Sequence, residues 1–164
     1  MNIQCILCSI FVACILFLPN KLLAQSTSNE SDELKHHDKH YHLSGFAGFT
    51  SDYKGKNGFK LGIEYEYRIN DHVGLGGTFD FTGADFQIFG LSAGATFYPF
   101  KFPLIFAAGI GAKYSHEKWK EFYRGVLLYD FHLDNISIGP MVMYDVFSDE
   151  KDIISTGITI GFSL

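Results

Sequence analysis

The chain has 164 residues, and 47% hydrophobic with 16% aromatic content excludes a disordered chain. Charged residues are only 19% against 17 Phe, 9 Tyr and 17 Gly, which argues against a helical bundle or coiled coil. A formal net charge of −5 gives nucleic acid no electrostatic footing, and a mean hydropathy of +0.08 fits neither an ordinary soluble chain nor a helical membrane protein.

Ile3 to Leu18 is an apolar run broken only by Gln4 and Ser9, followed by Pro19, Asn20 and Lys21 and then Leu22-Leu23-Ala24-Gln25. A run of about 15 apolar residues ending near a small residue reads as a secretory signal peptide. Residues 1–24 are therefore expected to be removed, with cleavage near Ala24. An uncleaved helix would need about 20 apolar residues. A lipoprotein signal would use Cys14, but Ile15-Leu16-Phe17-Leu18 continues the apolar run beyond it. Cys5, Cys8 and Cys14 all lie in this segment. The exported chain is then cysteine-free, without a disulfide framework or a thiolate nucleophile.

Residues 25–40 are polar and read as a disordered tail in the periplasm. His36, His37, His40 and His42 cluster within seven positions where the tail meets the first strand and are weak candidates for metal binding. No ordered second shell orients these rings, so no metal or other cofactor is expected.

From about Tyr41 the hydrophobic period is two. In Phe59 to Ile69 every odd position is apolar or aromatic and every even position is Gly or charged. That pattern gives a strand one apolar and one polar face. It recurs in 73–81, 89–99, 104–114, 123–133, 136–146 and 154–164, with 41–49 a weaker first member. The breaks carry Gly, Pro, Asn or Asp, as at Asn70-Asp71, Pro99 to Pro103 and Asp134-Asn135. About eight strands of roughly 11 residues are long enough to cross a bilayer when tilted, and the short connections fit an up-and-down meander.

A soluble barrel would turn the apolar faces inward. A transmembrane barrel turns them to lipid. Three features favour the second. The more polar face is rich in Gly, Ser and Ala, which suits the interior of a narrow barrel. Aromatics gather near strand ends in two proposed rings. One holds Tyr65, Tyr67, Phe97, Tyr129, Phe131 and Phe162. The other holds Phe59, Phe79, Phe81, Tyr114, Trp119, Tyr123 and Tyr144. Finally, an exported membrane chain without a long apolar span after its signal has only a barrel open to it. The expected fold is therefore all-β, an eight-stranded antiparallel up-and-down transmembrane β-barrel over residues 41–164.

Ser155-x-Gly157-x-x-Ile160-x-Phe162 resembles the carboxy-terminal assembly signal of Gram-negative outer-membrane barrels. Together with the strand pattern, this makes residues 41–164 similar to the small eight-stranded outer-membrane β-barrel family of OmpA and OmpX type, without the peptidoglycan-binding domain. The chain ends Ser163-Leu164 where that family often ends in an aromatic residue. The resemblance implies the bacterial outer membrane as location and outer-membrane lipid and lipopolysaccharide as surroundings. It also implies the barrel assembly machinery and periplasmic chaperones as partners, and a monomer.

The lumen is expected to hold Lys60, Glu64, Glu66, Arg68, Asp80, Lys113, Arg124, Asp130 and Asp145, with His132 beside them. Charges withdrawn from water must pair, so a salt-bridged plug follows, with a structural or surface-interaction role. The alternatives are a small-solute pore, a lipid-A-modifying barrel enzyme and a soluble lipocalin-like binding barrel. Enzymes of that kind use a serine, a histidine and a carboxylate. The candidates are Ser115, Ser137, His72, His116 and His132, and adjacent Ser115-His116-Glu117 alternate across the sheet. No catalytic role is expected. Lys118-Trp119-Lys120 reads as an interface anchor in a loop, and residues 149–152 as a solvated hairpin tip.

Overall fold

The computed structural model describes residues 40–99, 103–115, 118–133, 135–148 and 152–164. The expected signal segment, most of the expected tail, and His36 and His37 lie outside these residues. Strand β1 spans Tyr41–Asp52, β2 Asn57–Asn70, β3 Val73–Thr82, β4 Ile88–Phe97 and β5 Leu104–Ser115. Then come β6 (Lys118–Tyr129), β7 (Phe131–Leu133), β8 (Ile136–Phe147) and β9 (Ile153–Ser163). Each pairs antiparallel with its neighbours, and β1 pairs with both β2 and β9. Strands β6 and β7 both pair with β8 and form one wall of the sheet. The result is a closed barrel with eight walls.

The break between β6 and β7 falls at Asp130. Its N–H donates to the Pro103 carbonyl at 2.7 Å, extending the β5–β6 ladder by one pair. Pro140 lies in β8 in the same zone and offers no N–H of its own, which favours an irregular ladder there. At the end bearing His40 and Leu164, the Leu164 N–H donates to the Tyr41 carbonyl at 2.9 Å. This is called the terminal end below, and the opposite end the loop end.

The period-two pattern decides what faces where. Leu61, Ile63, Leu75, Leu91, Ile110, Ile158 and Ile160 are all exposed. Lys60, Asp80, Lys113 and Asp145, which stand on the opposite parity of their strands, are at most 1% exposed. A soluble barrel shows the reverse arrangement, so this sheet presents its apolar face outward to lipid. The chain is a transmembrane β-barrel. All the aromatics assigned to the two rings lie on the outer surface, Tyr129, Phe131 and Phe81 half-buried and the rest exposed. Tyr41 stacks on Tyr65 at the terminal end, and Phe81 packs on Phe59 and Phe89 at the loop end.

Two details differ from expectation. Lys118, Trp119 and Lys120 are not in a loop: they extend β6 and pair with β5, and Trp119 packs on Tyr114 with ring centroids 5.3 Å apart. The ladder continues because Trp119 and Tyr114 keep the outward parity. The small inward residues also have a sharper reason than crowding at the barrel axis. Gly48 pairs with Gly157 and Gly94 with Gly109 on adjacent strands. A Cβ on Gly48 would come within 2.8 Å of the Gly157 Cα, and one on Gly94 within 2.7 Å of the Gly109 Cα. The strands coil so tightly that backbone meets backbone, and glycine permits that closure.

Ile110 lies midway along β5, opposite Ala93, and is 65% exposed. Replacing it with arginine places a charge near the middle of the lipid belt and is expected to destabilise the barrel by about 2–4 kcal/mol. Urea unfolding of protein refolded into lipid vesicles measures this. Leu133→Arg, at the terminal rim, is expected to cost much less.

Candidate functional site: the charged lumen

Period-two parity points Lys60, Asp80, Lys113, Arg124 and Asp145 inward from five different strands, where they meet in one cluster. Asp145 is its centre. Lys60 Nζ donates to Asp145 Oδ2 at 2.8 Å and Lys113 Nζ to the same oxygen at 2.6 Å. Arg124 donates from Nε to Oδ1 at 2.7 Å and from Nη2 to Oδ2 at 3.1 Å. Arg124 Nη1 also bonds the Ser92 hydroxyl at 3.2 Å and stands 2.7 Å from Asp80 Oδ2, off the hydrogen-bond axis. Lys60 lies 3.6 Å from Asp80 and donates to the Met143 sulfur at 3.0 Å. Three cations thus surround two carboxylates, all removed from solvent.

Apolar layers sandwich this cluster. On the loop side Phe122, Phe147, Phe86, Ile88 and Ile153 form a buried plug. Lys113 Nζ sits 4.8 Å and 5.0 Å from the centroids of the Phe122 and Phe147 rings, and the Arg124 guanidinium lies 4.8 Å from Phe122. Ring faces are negative, so they supplement the two carboxylates in balancing three cations. Phe86 enters the plug from the 83–87 loop, where Ala84 and Gln87 take φ of 60° and 50°. Non-glycine residues rarely adopt that conformation, and the burial of Phe86 between them offsets its cost. On the terminal side Phe46, Met141 and Met143 pack together with Val126 and Leu128.

A second polar group lines the terminal end. Tyr98 donates its hydroxyl to Glu66 at 2.6 Å, Arg68 Nε lies 3.5 Å from the same carboxylate oxygen, and the guanidinium covers the Tyr98 ring at 4.4 Å. Asp130 stands 3.3 Å from His132 Nδ1, and the His42 ring lies 3.4 Å from the Ser137 hydroxyl. Between the two groups is a cavity of about 70 Å³, and Glu64 faces it.

The nine expected lumen charges all turn inward, but they do not form one network. Five make the Asp145 cluster, Glu66 and Arg68 pair apart from it, and Asp130 lies at the terminal mouth. Glu64 has no ion pair among the described residues, so the expectation of a fully salt-bridged lumen fails at that position. The reason is distance along β2: Glu64 falls between the tier of Lys60 and that of Glu66 and Arg68. His132 is half-exposed at the mouth instead of enclosed. His42 is a lumen residue on β1, not part of a free tail, and His40 packs on Tyr67 at the rim with centroids 5.9 Å apart. No group of three or more His, Cys, Asp or Glu among the described residues is arranged to hold a metal ion.

Of the catalytic candidates, His132 and Ser137 are register partners, while Ser115 and His72 lie at opposite ends of the barrel. His116 is outside the described residues. The 152 end of the tip is not simply solvated: Asp152 accepts from the Tyr144 hydroxyl at 2.6 Å and from Tyr53 at 3.1 Å. These two hydrogen bonds favour the ionised form and hold the Asp152 carboxyl below the usual carboxylate range. Ser155 of the expected assembly signal points inward and bonds Thr50 at 2.7 Å, Gly157 meets Gly48, and Ile160 and Phe162 face lipid.

Sequence reading passed over Phe122, Phe147, Met143, Ser92 and Tyr98. Parity was a signal for all of these: Phe122, Met143 and Phe147 share the inward face of Arg124 and Asp145, and Ser92 and Tyr98 share that of Thr96 on and just after β4.

The fold and its charged interior define a small eight-stranded transmembrane β-barrel. Among solved structures the chain is similar to Neisserial surface protein A, with a TM-score of 0.59 and 12% identity over 76% of this chain and 96% of that one. It is also similar to Ail, the attachment invasion locus protein of Yersinia pestis, in complex with the heparin analogue sucrose octasulfate. There the TM-score is 0.53 with 18% identity over 74% of this chain and 96% of that one. A de novo designed transmembrane β-barrel matches with a TM-score of 0.53 and 13% identity, covering 74% and 95%. At these identities the likeness is one of fold. No protein-family model and no curated protein matches the chain.

Asp145→Asn leaves three buried cations without their shared anion and is expected to destabilise the barrel by about 3–5 kcal/mol. The urea midpoint in vesicles reports this, and a change below about 1 kcal/mol would show that the cluster is not what holds the walls. For Asp152 the sign is that of a depressed carboxylate. Its hydrogen-bonded state is complete above the unfolded carboxylate range and is lost as pH falls through the lower folded value. Tyr144→Phe is expected to raise the Asp152 midpoint in an NMR titration, with little change elsewhere.

Proposed function

We propose that the protein is an outer-membrane β-barrel of a Gram-negative envelope with a structural or surface-interaction role and a non-conducting lumen. The single observation that carries this reading is the Asp145 cluster, packed between apolar layers across the narrow interior. An eight-stranded barrel is just wide enough for side chains to fill, and here an ion crossing from end to end would have to displace five mutually bonded charges. The outward apolar face and the two aromatic rings support residence in a membrane.

Under this reading residues 1–24 direct export with cleavage near Ala24, residues 25–40 form a periplasmic tail, and residues 41–164 the barrel. The terminal end faces the periplasm, and the loop end faces outward toward lipopolysaccharide. Ile160 and Phe162, on the lipid face of β9, suit recognition by the barrel assembly machinery, with periplasmic chaperones carrying the unfolded chain. The Yersinia pestis barrel is seen with a polyanionic sugar analogue, and the exposed Lys54 and Lys56 in the β1–β2 turn make lipopolysaccharide phosphates plausible contacts for this chain. The protein acts as a monomer and without catalysis.

Two measurements test the reading together. Membrane fractions should hold the protein in the outer membrane, with gel migration that changes on heating. Planar bilayers containing it should show no steady single-channel currents. Currents of uniform size would favour the small-solute pore, and a soluble, unshifted band would overturn the barrel in its membrane.

A further inference from the structure

We propose that the cavity beside Glu64 is a dead-end binding site for one small monovalent cation of ammonium or alkali-metal class, entered from the terminal end. The first ground is an unmatched charge. Glu64 is half-buried on the inward parity of β2 and lines the cavity. A carboxylate withdrawn from bulk water needs a counter-cation or a proton. Every neighbouring cation is already engaged: Lys60 and Lys113 on Asp145, Arg124 on Asp145, Asp80 and Ser92, and Arg68 with Glu66. Among the charges of the Asp145 cluster and the cavity wall, Glu64, Glu66, Asp80, Asp130 and Asp145 outnumber Lys60, Arg68, Lys113 and Arg124 by one, with Asp52 and Lys120 lying apart at the loop end.

The second ground is size and lining. A volume of about 70 Å³ holds roughly two bodies of water size, at about 30 Å³ each. That admits an ammonium or alkali ion with a water and is well below the roughly 150 Å³ that accepts benzene. Hydroxyls of Ser44, Thr78 and Ser92 on its wall offer neutral oxygen ligands beside the Glu64 carboxylate. A calcium ion would want six to eight oxygens, including several carboxylates. The third ground is the route. Asp130 stands on the terminal side and favours the approach of cations, the Glu66 charge there being offset by Arg68, while the Asp145 cluster blocks the far side. The site rests on that closure of the lumen.

The test uses the full chain refolded in lipid nanodiscs with its glutamate carboxyls labelled with carbon-13. Ammonium chloride is titrated in at constant ionic strength, balanced with choline chloride, whose cation is too large for the cavity. A saturable shift of the Glu64 carboxyl signal with ammonium and none with choline is expected. Glu64→Gln should abolish ammonium-15N retention by the barrel. Should that variant fail to fold, Thr78→Leu fills the cavity while keeping the carboxylate, and the Glu64 shift should be lost there too. A Glu64 signal that is unresponsive to ammonium and typical of a protonated acid would overturn the site, because a proton would then be the counter-charge. So would a response that survives Thr78→Leu. Channel currents recorded in parallel separate the two readings: conduction with a saturable shift contradicts the closed lumen and with it the dead end, but not the binding of a cation, whereas silence without a shift contradicts only the cation site.

Discussion

Asp145 is where this barrel is held from inside. Eight strands enclose an interior that side chains can fill, so a charge that points inward cannot be met by bulk water. Lys60 from β2, Lys113 from β5 and Arg124 from β6 all reach the same carboxylate on β8. Removing water from four charges costs several kcal/mol per ion, and only good geometry offsets it. That geometry exists because the walls are fixed in register. The cluster and the closed sheet therefore depend on each other.

The layers along the barrel axis follow from this arrangement. The Phe122–Phe147 plug shields the cluster on the loop side and lends its ring faces to Lys113 and Arg124. The Met141–Met143 layer shields it on the terminal side. The terminal mouth then repeats the principle on a smaller scale, with Glu66, Arg68 and Tyr98. The cavity lies between these two solutions, where Glu64 is out of reach of either. Outside, the same sheet has no such problem, since Leu, Ile and Phe side chains meet lipid at no electrostatic cost.

Most of the wall was legible in the amino-acid sequence because a strand's period of two is a local property. Phe59 to Ile69 reveals its two faces without any knowledge of its neighbours. The choice of which face points inward was legible too, from Gly and Ala on the polar side and aromatics at strand ends. What local pattern could not show was partnership. Lys60 and Asp145 are 85 residues apart, and only the staggered register of a closed barrel brings them level. The same stagger leaves Glu64 alone while Glu66, two residues on, finds Tyr98. The break at Asp130 was hidden for a related reason, since it arises between strands, and apolar Val126 and Leu128 take the inward parity because they pack on Phe46, Met141 and Met143.

The claim beneath all of this is that the sheet is turned apolar face outward. A spin-label scan along β5, from residue 104 to 115 in vesicles with the three native cysteines replaced, tests it most directly. Labels at 106, 108, 110, 112 and 114 should be relaxed strongly by lipid-dissolved oxygen, and those at odd positions should be protected from it. The opposite alternation, with odd positions open to a water-soluble relaxant and even positions shielded, would contradict the account.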